Sequence, residues 1–174
     1  MSEDQPVLGS QPSAFFSEAD EDYEYEEYEE EGGSSCEKIK ILVFRIGDED
    51  YAVRMTDLQE ILKMHEITTI PRAPRHLMGI TSLRGKVIPV IDPRIRLKVE
   101  TVDSSEPRII VLSGEGCPVG IKVDRITGMF MIKPEEIMPS LNTLTDEESR
   151  FIDSVVRVEH RFVSILNLDA ILEI

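Results

Sequence analysis

The strongest constraint on the fold is a rhythm of short apolar runs broken by turn signals. Ile39-Lys40-Ile41-Leu42-Val43-Phe44-Arg45-Ile46 is rich in β-branched residues and predicts a strand. Residues 47–50 predict a turn and residues 51–54 the returning strand of a hairpin. Similar runs recur over 67–70, 79–83, 86–91, 108–113, 119–123, 126–132, 155–158 and 162–166. Gly85 offers the positive φ that a tight Arg84-Gly85 turn demands. Gly114-Glu115-Gly116 joins 108–113 to 119–123, and His160-Arg161 joins the last pair. Pro89 inside a run predicts a sheet edge or a bulge, and Gly128 a bend. About ten short strands with turns between them predict an all-β barrel or sandwich. No βαβ alternation is present, which argues against a nucleotide-binding parallel sheet.

Helical signals are sparse. Thr56-Asp57-Leu58-Gln59 matches a capping box, and Leu58, Ile61 and Leu62 follow at helical spacing. This predicts an amphipathic helix from Thr56 to about Met64, with Glu60 facing outward. Asn167 predicts the cap of a short helix over 168–172. Single helical turns are expected over 94–97 and from Pro134, and a longer loop over 139–150.

Charge is divided along the chain. The net charge is −15, yet residues 1–37 hold thirteen acids and no Lys or Arg. All nineteen cations follow, facing twenty-one acids, so residues 38–174 are close to neutral. Residues 1–37 cannot bury enough apolar surface to offset the entropy of ordering and are expected to be a disordered acidic tail. Their role is expected to be solvation, a short interaction motif, or a cover for a basic stretch. That stretch is 67–99, with seven Lys or Arg and one acid, Asp92. Residues 38–174 are expected to fold as the structured unit.

Several chemistries find no support. There is no phosphate-binding glycine loop, no dinucleotide fingerprint and no G-x-S-x-G elbow. His65, His76 and His160 are too scattered to predict a metal site, and Cys36 and Cys117 make no metal set or disulfide framework. Cys117 has no basic partner nearby in sequence. Asp92 and Asp124 end strands, where turn hydrogen bonds are the expected use of a carboxylate. No apolar run approaches the ~20 residues needed to cross a bilayer, and no signal peptide is visible. Residues 67–99 contain no Phe, Tyr or Trp, which argues against a nucleic-acid surface. A cytoplasmic protein–protein adaptor without cofactor or metal is the expectation.

The ordered set of motifs resembles the CheW-type chemotaxis coupling proteins. The opening hairpin, Val43-Phe44-Arg45-Ile46-Gly47-Asp48-Glu49-Asp50-Tyr51-Ala52-Val53, is similar to theirs, as is Leu58-Gln59-Glu60-Ile61. Gly79-Ile80-Thr81-Ser82-Leu83-Arg84-Gly85 and Val87-Ile88-Pro89-Val90-Ile91-Asp92-Pro93-Arg94 resemble the central signature. Ser82 and Pro93 depart from it, where asparagine and leucine are common. Val119-Gly120-Ile121-Lys122-Val123-Asp124 and the closing 165–172 complete the resemblance. It implies two packed five-stranded β-barrels and no enzymatic activity. It implies a link between chemoreceptor signalling tips and the regulatory domain of the histidine kinase CheA, in receptor arrays at the membrane. By position it places Met55, Leu58, Glu60, Ile61 and Arg84 at the kinase contact, where Arg84 is expected to pair with Glu60. It places Gly120, Ile126 and Met129 at a receptor-facing groove. A related adaptor in a non-flagellar pathway, for surface motility or cyclic-dinucleotide output, shares the same chemistry.

Overall fold

The computed structural model describes residues 37–140 and 146–174. The acidic tail and Cys36 therefore lie outside the described residues, apart from Glu37. Among the described residues eleven strands form two sheets: β1 (Ile39–Ile46), β2 (Glu49–Arg54), β3 (Leu58–Lys63), β4 (Leu77–Leu83), β5 (Lys86–Ile91), β6 (Arg108–Ser113), β7 (Pro118–Val123), β8 (Arg125–Ile132), β9 (Ile137–Pro139), β10 (Ile152–Val158) and β11 (Arg161–Leu166). Among the described residues three one-turn α-helices accompany them, α1 (Arg94–Leu97), α2 (Asp146–Ser149) and α3 (Leu168–Ile171), with the expected turn from Pro134 present as a 3-10 helix over Pro134–Glu136. The mainly β architecture in two halves is as expected.

The first sheet runs β8-β1-β2-β11-β10-β9 and the second β3-β6-β7-β5-β4. Apart from the three-residue β9, both follow one plan. Each has an edge strand beside a hairpin, then a parallel neighbour, then that neighbour's antiparallel partner. The edge strands are exchanged along the chain. β3 follows the hairpin of the first sheet and joins the second, while β8 follows the hairpin of the second and joins the first. The halves are thus tied together by the chain itself.

Both sheets bury apolar residues on two faces. Alternate residues of β1 divide between clusters, with Leu42 and Phe44 in a central layer and Ile41 and Val43 in a layer of the first sheet. In β6, Ile110 and Leu112 join the central layer, while Ile109 and Val111 join a layer of the second sheet. Such strands carry continuous apolar runs in place of alternation, because no face meets water. Each of these eight residues is 1% exposed or less.

The expected helix from Thr56 to Met64 is instead a turn followed by β3. The register with β6 shifts between Leu58 and Glu60, so Gln59 is the extra residue of a bulge. That shift puts Leu58 and Ile61, three apart, on the same side, facing the central layer, while Leu62 faces the other. A bulged strand thereby imitates helical spacing. No capping box forms at Thr56, and the turn closes through Asp57 N to Arg54 O and Leu58 N to Met55 O. The expected strand over 67–70 reduces to one bridge, Thr68 with Ile80. Of the expected loop over 139–150, Pro139 ends β9 and Asp146–Ser149 is α2. Pro89 lies in β5, which is interior, but the parallel ladder to β7 begins only at Val90. Asn167 caps α3 as expected, accepting from Ala170 N.

Two local features fix the second half. Arg84 and Gly85 both adopt positive φ, 49° and 79°, which makes the tight turn between β4 and β5. Gly79 has φ 149°, and a Cβ there would lie 2.2 Å from the Thr68 carbonyl oxygen. Meanwhile Arg96 of α1 donates to the carbonyls of Ala170, Ile171 and Glu173, and to His76 Nε2 at 3.0 Å. A guanidinium only donates, so His76 Nε2 accepts and the ring is neutral. Burial, then the Arg96 charge, hold the His76 pKa below its ordinary value.

Gly79→Ala is expected to cost at least about 2 kcal/mol, from backbone strain and collision with a carbonyl that cannot swing away. Urea unfolding measures it. A histidine with a depressed folded-state pKa takes its proton first in the unfolded state. Stability is therefore full above the ordinary value of 6.5 and falls as pH drops through it. Between about pH 7.5 and about pH 5.5, His76→Gln is expected to lose less stability than the wild type.

Candidate functional site

The two outer strands of the second sheet are β3 and β4. Glu60 sits on β3, and Arg84 directly follows β4 in the hairpin turn. Arg84 Nη2 nevertheless donates to Glu60 Oε1 at 3.2 Å. The sheet has therefore curled until its edges approach, and this ion pair spans the gap at the surface. The two partners differ in environment. The Glu60 side chain is 16% exposed and the Arg84 side chain 75%. The carboxylate is sheltered while the guanidinium stands open, with most of its donors free to meet another surface.

Glu60 faces Val111 across the ladder, on the side of the layer formed by Leu62, Ile88, Val90, Ile109 and Val111. That layer is incompletely covered, because Met64, Ile67, Met78 and Leu83 pack on it only partly buried. Val87, next to the turn, is 65% exposed. A charged rim beside thinly covered apolar side chains is the anatomy of a docking surface. In surfaces of that kind the apolar part supplies affinity, and the charge fixes register.

Of the five residues placed here by resemblance, the structure brings Glu60 and Arg84 together at the surface. Leu58 and Ile61 are each 5% exposed and belong to the central layer, against which Met55 packs half-buried. Their side chains support β3 from behind. The other set is divided. Gly120 is buried on β7, where a Cβ would lie 2.8 Å from Ile109 Cγ2, on the face of the second sheet's own layer. Ile126, buried, and Met129, half-buried, lie on β8 against the central layer. The three do not share one face.

Sequence reasoning missed a buried ionic clamp between the halves. Arg94 of α1 and Asp124, at the β7–β8 corner, are 5% and 6% exposed. Arg94 Nη2 lies 3.5 Å from Asp124 Oδ1, and Arg94 Nε lies 3.2 Å from Asp92 Oδ1. Asp124 Oδ2 also accepts from Gly47 N at 2.7 Å, reaching the turn of the β1–β2 hairpin. As expected for strand-ending carboxylates, Asp92 and Asp124 serve backbone N–H groups, Asp92 that of Arg94. The available signal was Arg94 within the central signature.

Among the described residues, no three of His, Cys, Asp and Glu come together to hold a metal ion. None of the described helices is long and apolar enough to cross a membrane. Fold and site together define a mainly β scaffold that works by presenting surfaces. The description "CheW-like domain" fits residues 40–174, and the chain belongs to the CheW family. The chemotaxis protein CheW of Helicobacter pylori is 32% identical over 139 residues, covering 79% of this chain and 83% of that protein. The Bacillus subtilis protein of the same name is 29% identical over 135 residues, covering 77% and 86%. The crystal structure of the scaffolding protein TtCheW from Thermoanaerobacter tengcongensis superposes with a TM-score of 0.73 at 30% identity, covering 79% of this chain and 94% of that one.

The surface pair and the core residues behind it should separate by stability. Arg84→Ala is expected to change unfolding free energy by less than about 1 kcal/mol, as exposed ion pairs do. Ile61→Ala is expected to cost about 2–5 kcal/mol, because it opens a cavity in the central layer. Chemical denaturation of both variants tests the contrast.

Proposed function

We propose that this chain is the coupling protein of a chemosensory complex, joining the cytoplasmic tips of chemoreceptors to the regulatory domain of a CheA-type histidine kinase. It is a scaffold of chemotaxis signalling and acts by holding two partners in fixed relation. The observation that carries the reading is the Glu60–Arg84 pair, set at the closing edge of the second sheet beside half-covered apolar residues. The kinase surface is centred there. Glu60 and Arg84 make the contact, and Met55, Leu58 and Ile61 hold β3 in place. A receptor contact involving Gly120, Ile126 and Met129 acts through the packing of β7 and β8, since two of the three are buried. The coupling unit is residues 38–174, and its place is the cytoplasmic side of a receptor array.

Rigid sheets suit this task. A scaffold transmits a change in one partner only if its own surfaces keep their separation. Here the exchanged edge strands and the Arg94–Asp124 clamp provide that rigidity.

Calorimetric titration of the full chain against the regulatory domain of the organism's own CheA-type kinases tests the reading. Wild type is expected to bind saturably. Arg84→Glu puts two carboxylates face to face and should weaken binding by at least about tenfold, with folding intact by circular dichroism. Failure of the folded wild type to bind any such domain would overturn the coupling role. Equal binding by wild type and variant would move the kinase surface away from Arg84.

A further inference from the structure

The first sheet, unlike the second, has a seam with no ion pair among the described residues spanning it. Among the described residues, β8 pairs with β1 on one side only and forms one end of the sheet. At the other end, β9 pairs with Ser154–Val156 of β10, so Arg157 and Val158 run on past it. Between the two edges lies a cleft of about 160 Å³, lined by Phe130, Met131 and Ile132 of β8 and by Arg157 and Val158 of β10. Phe130 is only partly covered, and Met131 is 45% exposed. A cavity of about this size takes one aromatic ring. An open strand edge also offers main-chain hydrogen-bonding groups to an added strand.

The chain's own N-terminal segment arrives at this seam. β1 begins at Ile39, directly opposite Ile132 of β8. Upstream, Tyr23-Glu24-Tyr25-Glu26-Glu27-Tyr28 alternates tyrosine and glutamate over its first four residues. In extended form that alternation puts Tyr23 and Tyr25 on one side and the glutamates on the other. Residues 29–38 separate it from β1, a contour of about 35 Å, whereas neighbouring strands lie only about 5 Å apart.

Exposed cations are also available at this seam. Lys38, Lys40, Lys133 and Arg157 are exposed around the seam, and Lys40 shares a face with Met131. The nearby acids are Glu37, Glu135, Glu136 and Glu159, so the seam is balanced until the upstream segment is added. Glu136 is occupied by Lys133 N at 2.7 Å, and Glu159 lies 3.9 Å from Arg161. The upstream segment, residues 1–36, brings twelve acids and no Lys or Arg.

We propose that residues 23–28 add along the outer edge of β8 in the same molecule, seating a tyrosine ring in the cleft between β8 and β10. The glutamates then face the lysines and Arg157, and the edge is covered against pairing with other chains.

Hydrogen exchange on the full chain tests this, comparing wild type with a Tyr23→Ser, Tyr25→Ser, Tyr28→Ser variant. At low salt, amides within residues 128–132 are expected to exchange about tenfold more slowly in the wild type. The difference should narrow near about 0.5 M salt, where charges are screened, and in Arg157→Glu. Equal exchange in wild type and the tyrosine variant at every salt concentration would overturn the proposal. So would protection that grows with protein concentration, since that places the segment on a second copy.

Discussion

The structure depends on strands that are buried on both faces. A strand such as β1 sends Leu42 and Phe44 into the layer between the sheets, and Ile41 and Val43 into the layer of its own sheet. The central layer is shared by both sheets, whereas the outer layer is built from the first sheet alone. At about 25 cal/mol per Å² of apolar surface removed from water, the central layer is the largest stabilising term available to the chain. The exchange of β3 and β8 follows from it. Chain that leaves one hairpin is already at the shared layer, and it pairs with the nearest sheet, which is the other one.

Burial on both faces leaves function to edges, turns and incompletely covered ends. The Glu60–Arg84 pair stands where the second sheet closes, and its stabilising worth is small because Arg84 is largely in water. A weak exposed pair is well suited to recognition, since an incoming charge can replace a partner without loss of the fold. The Arg94–Asp124 pair has the opposite character. It is taken out of water, and removing one partner would leave the other charge buried with fewer contacts. One pair is thus exposed and replaceable, the other buried and structural.

The two halves also differ in how they close. The second is bridged by an ion pair, whereas the first leaves a cleft between β8 and β10. The same topology has been finished in two ways, which gives the scaffold two unlike ends.

The sequence alone determined most of the strands, β3 and β9 excepted, because local chemistry settles them. β-branched runs favour pleated backbone, and glycine or paired positive-φ residues place turns such as Arg84-Gly85. It also determined the family, since motif order from Val43 to Leu172 survives as a linear pattern. Tertiary structure decided what depends on residues distant in sequence. Helical spacing in Leu58, Ile61 and Leu62 became a bulged strand, because pairing with β6 outweighs a weak local propensity. Leu58 and Ile61 turned inward, and the Glu60–Arg84 pairing expected from the sequence is made across 24 positions by the curl of the sheet, which no local pattern encodes. Gly120, Ile126 and Met129 were dispersed for the same reason, since neighbouring strands β7 and β8 belong to different sheets. Local free energies choose elements. The burial of shared apolar faces chooses partners, and only that choice makes a surface.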